Sequence, residues 1–170
     1  MSRYDRPPEV TIDPDRTYTA SVATSHGAIE LDLHAAEAPA TVNNFVFLAR
    51  EGFYDGVIFH RVIAGFMVQG GDPDGSGRGG PGYKFNDELA LARSHGYPRG
   101  TLAMANSGPN TNGSQFFIVH EDSGLPPQYT VFGDVRSGIE VVDAIAASTT
   151  NASDRPLDDV VIASITITEL

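Results

Sequence analysis

The sequence predicts a mainly β, antiparallel domain, a closed barrel or a sandwich, that carries two α-helices. Three observations predict it. Eight short runs rich in Val, Ile, Thr and Phe are bounded by turn residues, only two segments place apolar residues at helical spacing, and strands and helices do not alternate as they do in a parallel α/β chain. At 170 residues the chain is long enough for one domain with a sizeable core and short for two.

Residues 1–15, MSRYDRPPEVTIDPD, are polar and proline-bearing, so they read as an arm outside the core and leave 16–170 as the folded unit. From Thr17 to His34, two alternating runs flank the turn Ser25-His26-Gly27. Ile29, Leu31 and Leu33 share one face and Glu30, Asp32 and His34 the other, which predicts a hairpin with one wet side. Pro39 then opens a helix of about three turns whose Val42, Phe45, Val46 and Ala49 recur at helical spacing, with Gly52 as its stop. The runs Val57 to Val62 and Phe66 to Gln69, linked through Gly65, predict a second hairpin. Glycine is then so dense over 70–82 that only a loop is expected. Thr101 to Met104, Phe116 to Val119 and Thr130 to Val135 are further strands. Ser137 and Glu140 match a capping box ahead of a second helix with Val142, Ile145 and Ala146 on its apolar face, and the chain ends on the β-branched run VVIASITIT.

Composition excludes several kinds of chemistry. With no Cys there is no disulfide, thiolate metal site or Cys nucleophile. The single lysine, Lys84, lies in YKFND rather than in a phosphate-loop context. A net charge of -11 opposes binding to nucleic acid or anionic membrane. No apolar run approaches the ~20 residues of a spanning helix, and no apolar stretch near the start suggests a cleaved signal, so a cytoplasmic protein is expected.

Most motif matches reduce to ordinary structure. Two overlapping G-x-G-x-x-G patterns, at Gly75, Gly77 and Gly80 and at Gly77, Gly79 and Gly82, open no helix and so lack the dipole end that a dinucleotide site needs. His26, His34, His60, His95 and His120 form no metal-ligand spacing, and His26 and His34 are expected in solvent. Ser114 and His120 are nucleophile and base by residue type only. Two segments resist a purely structural account. FHRVIAGFMVQGGD sets Arg61 in an apolar strand ahead of Phe66, Met67 and Gln69, where a guanidinium is paired or functional. MANSGPNTNGSQFF crowds Asn106, Asn110, Asn112 and Gln115 between Met104 and Phe117, amides beside aromatic faces that suit a polypeptide ligand.

From about Tyr18 onward the chain resembles a cyclophilin-type peptidyl-prolyl cis-trans isomerase, of the bacterial single-domain kind. The resemblance rests on NNFVFLAREGFYDGVIFHRVIAGFMVQGGDPDGSGRGGPGYKFNDE, LAMANSGPNTNGSQFFI and YTVFGDV. It implies a closed eight-stranded antiparallel barrel capped by two helices. It also implies that Arg61 is the catalytic arginine, joined by Gln69 and Asn106, and that Phe66, Met67, Phe117 and Leu125 wall a proline pocket. Gln115 corresponds to a polar group near Arg61, Ala105 and Ser107 to a neighbouring groove, and His60 to a groove histidine. Two positions depart from many members: Gly124 stands where a rim Trp precedes the pocket leucine, and Tyr129 where a His follows it. The second change keeps an aromatic wall; the first predicts weak cyclosporin binding.

The expected activity is isomerisation of X-Pro bonds in proline-containing peptides and unfolded proteins, in support of protein folding. No metal, nucleotide or other cofactor is expected, and the protein is expected to be a monomer. Two other readings are a proline-peptide binding module, for which Arg61 would be unnecessary, and an assembly domain with one partner, for which the N-terminal arm is the suggestive feature.

Overall fold

The computed structural model describes residues 4–170. Eight strands form one antiparallel sheet: β1 Tyr18–Thr24, β2 Gly27–Leu33, β3 Arg61–Ile63, β4 Met67–Gly70, β5 Thr101–Met104, β6 Phe116–Val119, β7 Val131–Ser137 and β8 Ile162–Glu169, in the order β3-β4-β6-β5-β7-β2-β1-β8. The first hairpin pairs Tyr18 with Leu33 through to Thr24 with Gly27, and Gly27 takes the turn at φ +127°. The mainly β reading therefore holds, and so does its antiparallel character.

Closure is less complete than a closed barrel implies. The two edge strands, β3 and β8, form no ladder with each other. Instead the segment ahead of β3 runs beside the start of β8: Phe59 N donates to Val160 O at 2.9 Å, Ile162 N to Val57 O at 2.8 Å, and Ile58 bridges Val161. The reason is local. Val62 N donates to Asp154 O at 2.7 Å, so the 151–155 loop occupies the edge of β3 that β8 would otherwise take. The predicted strand over 57–62 shrinks accordingly to Arg61–Ile63.

Helix α1 (Pro39–Arg50) begins at the predicted proline and buries Val42, Phe45, Val46 and Ala49 as expected. Its capping residue, Ala38, has no side chain to offer the first N–H groups. Glu88 does this work from 47 residues away, accepting from Thr41 N and Thr41 Oγ1, each at 2.7 Å, where a carboxylate also meets the positive end of the helix dipole. Two corrections concern the other helices. A short helix, α2 (Ala90–His95), stands where no element is predicted, and it ends on Gly96 at φ +66°. The last helix, α3 (Ile139–Ala146), is not capped by Ser137, which is the final residue of β7. Gly138 is the N-cap at φ +90°, and a Cβ there would lie 2.4 Å from Ala28 O, so backbone crowding rather than a hydroxyl sets the helix start.

Strand alternation divides the apolar residues into two clusters. Phe116, Ile118, Leu102, Met104 and Val68 join Phe45, Tyr54 and Phe132 inside the barrel. Their chain neighbours Phe117, Val119, Ala103 and Met67 face outward, where α2 and the segment carrying Leu125 and Tyr129 cover them. This outer cluster explains why β6 is buried on both faces. It also creates a second apolar surface, open at one end, on which the candidate site is built.

The described part of the arm, from Tyr4 on, lies against the barrel, and residues 1–3 lie outside the described residues. Asn43 of α1 accepts from Thr11 N at 2.9 Å and donates to Glu9 O at 3.0 Å, Tyr4 packs edge-on against Phe47 at 5.2 Å, and Ile12 is 7% exposed within the main core. Ile12 therefore revises the expectation that residues 1–15 contribute nothing to the core. Among the described residues no helix is long and apolar enough to cross a membrane.

Candidate active site

A small pocket of about 120 Å³ opens on the outer apolar cluster, lined by Arg61, Phe66, Met67, Gln69, Ala105, Asn106, Phe117, Leu125 and Tyr129. It suits one small apolar ring, since drug-sized ligands occupy ~300–1,000 Å³. Beside it runs a groove of about 820 Å³ that shares Gln69, Ala105 and Asn106 and continues over Ser107, Gln115, Gly113 and the 77–84 loop. Eleven of the twelve residues singled out from the sequence thus line one continuous depression.

The strands fix the order of these groups. Arg61 on β3 pairs with Gln69 on β4, which pairs with Phe117 on β6, which pairs with Ala103 on β5. Arg61 Nη1 donates to Gln69 Oε1 at 3.4 Å, Gln69 Nε2 donates to Gln115 Oε1 at 3.0 Å, and Gln115 Nε2 donates to Gly79 O at 2.9 Å. Gln69, rather than Gln115, is therefore the group on the guanidinium, and Gln115 holds Gln69 in turn. The Asn106 side chain is committed to its own loop, donating to Gln128 O at 2.9 Å and accepting from Gly108 N at 3.1 Å.

His60 is the exception. It lies just ahead of β3, with its ring beside the glycine loop, where a Cβ on Gly77 would stand 3.8 Å from Nε2. It is 7% exposed, lines neither pocket nor groove, and neither ring nitrogen has a hydrogen-bond partner. Burial pushes its pKa below the ordinary histidine value, which favours a neutral ring there. Ser114 and His120 do not meet as nucleophile and base: Ser114 Oγ donates to Gly71 O at 2.7 Å, while His120 bonds Gly65 and Asp143. His34, expected in solvent, contacts Asp134 at 2.6 Å. Among the described residues no cluster of His, Asp and Glu could hold a metal ion.

Several supporting residues escaped the sequence reading. Tyr97 Oη donates to Tyr129 O at 2.6 Å and accepts from Tyr129 N at 3.0 Å, which fixes the aromatic wall that meets Phe117 edge-on at 5.6 Å. Asp72, 1% exposed, folds the glycine loop around itself by accepting from the N–H groups of Asp74, Ser76, Gly77 and Gly79 at 2.6–3.1 Å. Burial alone would raise its pKa; the backbone bonds from Asp74, Gly79 and Gly77, with the Ser76 hydroxyl, outweigh it and hold the carboxyl below its ordinary value. A Cβ on Gly79 would stand 2.0 Å from Asp72 Oδ1, so this loop tolerates no side chain at that point. The D-P-D-G turn chemistry at 72–75 is the signal that could have exposed this role.

The site is thus an outward pocket with an arginine at its edge, carried on a curled eight-stranded antiparallel sheet. The family model for cyclophilin type peptidyl-prolyl cis-trans isomerases matches residues 19–167. Peptidyl-prolyl cis-trans isomerase A of Mycobacterium tuberculosis is 49% identical over an alignment covering 93% of this chain and 96% of the relative, and peptidyl-prolyl cis-trans isomerase B of Streptomyces anulatus is 49% identical over 87% and 95%. Among solved structures, a Cryptosporidium parvum cyclophilin type isomerase superposes with a TM-score of 0.82 at 36% identity, covering 89% of this chain and 98% of that one. The same enzyme in the presence of the dipeptide Ala-Pro gives 0.81. The chain belongs to the cyclophilin-type family of peptidyl-prolyl cis-trans isomerases, enzymes that accelerate rotation about X-Pro bonds.

Proposed function

We propose that this enzyme binds proline-containing peptides and unfolded proteins with the proline ring in the Phe66, Met67, Phe117, Leu125 and Tyr129 pocket, and that Arg61 is its catalytic residue. The observation that carries this reading is a guanidinium, backed by Gln69, on the rim of a small pocket that Phe66, Met67, Phe117, Leu125 and Tyr129 wall and that is sized for one ring.

The chemistry follows from the amide. Rotation about an X-Pro bond faces a barrier of ~18–20 kcal/mol because conjugation gives C–N partial double-bond character. At the twisted transition state the conjugation is broken and the proline nitrogen carries a lone pair that the planar ground state lacks. A donor aimed at that nitrogen binds the transition state better than either planar isomer, which is the condition for catalysis. Arg61 remains protonated and supplies such a donor without any metal, nucleophile or cofactor. Apolar walls that exclude water strengthen that contact. The pocket holds the ring while Gln69 and the main chain at Asn106 hold the peptide beside it, and Ala105, Ser107 and Gln115 carry flanking residues along the groove.

The finer roles belong to the same proposal: His60 supports the strand behind Arg61, the enzyme assists folding in the cytoplasm as a monomer, residues 1–15 are an arm on an isomerase domain spanning 16–170, and its charge of -11 keeps it from nucleic acid and membranes. Cyclosporin binds weakly because Gly124 offers no rim indole. The purified protein, assayed for isomerisation of a proline tetrapeptide before and after exhaustive dialysis against chelator, tests the reading. Equal turnover supports it, and turnover that requires an added divalent ion contradicts it.

A further inference from the structure

The proline pocket is held from behind by a node that the reaction as described does not use. Phe66, one wall of the pocket, sits immediately after Gly65 in the turn between β3 and β4, and Gly65 takes φ +81°. Two bonds fasten this turn to the residue after β6. His120 N donates to Phe66 O at 2.8 Å, and Gly65 N donates to His120 Nδ1 at 2.9 Å. An Nδ1 that accepts carries no proton, so the proton of the neutral ring is on Nε2. That nitrogen lies 3.1 Å from Asp143 Oδ1 on α3 and 3.8 Å from Glu121 Oε1.

Arg99 completes the arrangement. Its guanidinium meets Asp143 in two parallel bonds, Nη1 to Oδ1 at 2.7 Å and Nη2 to Oδ2 at 2.8 Å, and Nη1 also donates to His120 O at 2.9 Å. The Arg99 hydrogen bond holds the Asp143 carboxyl below its ordinary pKa, so it stays anionic while imidazoles titrate. The charged groups facing His120 are thus Asp143 from α3, Glu121 beside it in the chain and Arg99 from the segment before β5.

We propose that His120 is a positioning residue for the isomerase reaction: its unprotonated Nδ1 holds the Gly65–Phe66 turn, and with it one wall of the proline pocket, against α3. The inference rests on the assignment of Phe66 to that pocket. A second proton on the ring enters at Nδ1, where it faces the Gly65 N–H, donor against donor, and the bond is lost. Phe66 then loses one of its two tethers while Arg61 is untouched. The consequence falls on binding of the proline ring more than on the rotation step.

Asparagine and leucine separate the two sides of the ring, because Asn places an amide oxygen near the position of Nδ1 and offers nothing at Nε2. As acid protonates the His120 ring of the unmodified protein, KM for a proline tetrapeptide rises about 5-fold over its value at pH 8 and kcat changes less than 2-fold. His120→Asn keeps KM at pH 8 within about 2-fold and removes the rise in acid. His120→Leu raises KM about 5-fold already at pH 8 and is flat below it. The amide resonance of Gly65 in the unmodified protein follows the same titration as the His120 ring, a readout independent of turnover and of whether either variant folds. An acid rise in KM that persists in His120→Asn overturns the proposal, as does an unchanged KM in folded His120→Leu or a Gly65 amide that ignores the His120 titration. If the unmodified protein lacks isomerase activity, the proposed function falls, and the Gly65 resonance still decides whether the tether is titratable.

Discussion

Arg61 and Gln69 face each other across the β3–β4 ladder, and the Gln69 carbonyl oxygen lies 3.4 Å from the guanidinium. Gln69 is itself held by Gln115, and Gln115 by the main chain of the glycine loop at Gly79. An exposed arginine is a flexible chain, so this relay restricts where its donors point.

Gln69→Ala should therefore lower kcat/KM about 5- to 10-fold without unfolding the protein, a modest loss because the bond is long and lies near solvent. Steady-state kinetics beside a thermal melt decide it. Unchanged kcat/KM would mean that Arg61 is positioned without Gln69.

The Asp72 loop predicts an acid sensitivity. Its folded carboxyl is depressed, so the stability it contributes is full above the ordinary aspartate range and is lost as pH falls through the folded value, which places the loss below about pH 4. Asp72→Asn turns an amide donor toward backbone N–H groups that need acceptors. We expect a loss of about 2 kcal/mol at pH 7, a fall in Tm on the order of 4–8 °C, and a smaller further loss in acid than the unmodified protein suffers. A melt series from pH 7 to pH 3 measures both.

Much of this architecture was legible because burial follows strand alternation. The same rule separates Phe116 from Phe117 and explains why the site lies outside the barrel. The rule does not run through FHR, where Phe59 and Val62 are both in the inner cluster and the strand begins only at Arg61, so alternation does not say where His60 points and family resemblance alone places it in the groove. Helix α2 is six residues long with Leu89 as N-cap, so it carries neither periodicity nor a cap signature. Ser137 and Glu140 have the spacing of a capping box, but the left-handed Gly138 between them takes the cap. Glu88, Tyr97 and Asp72 act across long loops or by turn geometry, and hydrophobic pattern does not report such bonds.

The arm yields a third expectation. Ile12 is in the core and its amide is held by Asn43 at 3.3 Å, so Ile12→Ala should cost about 2–4 kcal/mol and lower Tm on the order of 4–16 °C. Activity at 15 °C should stay close to normal, since Ile12 lines neither the pocket nor the groove. A melt that does not move would return the whole arm to the surface.

Gly124 tests the rim. It is exposed, and a Cβ there meets nothing within 4 Å, so Gly124→Trp is sterically allowed beside Leu125. The added indole should tighten cyclosporin inhibition at least 10-fold, about 1.4 kcal/mol or more, while kcat/KM changes only a few-fold. Titration of both proteins with the drug during isomerisation checks this, and equal inhibition would place residue 124 away from the bound ligand.

The central claim is that one guanidinium stabilises the twisted amide. Its most direct test is kcat/KM for a proline tetrapeptide in Arg61→Ala, with folding verified by circular dichroism and Tm. We expect a fall of about 10²-fold or more, the scale of losing one transition-state donor, with Arg61→Lys restoring little because an ammonium lacks the planar fork. Near-normal turnover in folded Arg61→Ala would contradict the account.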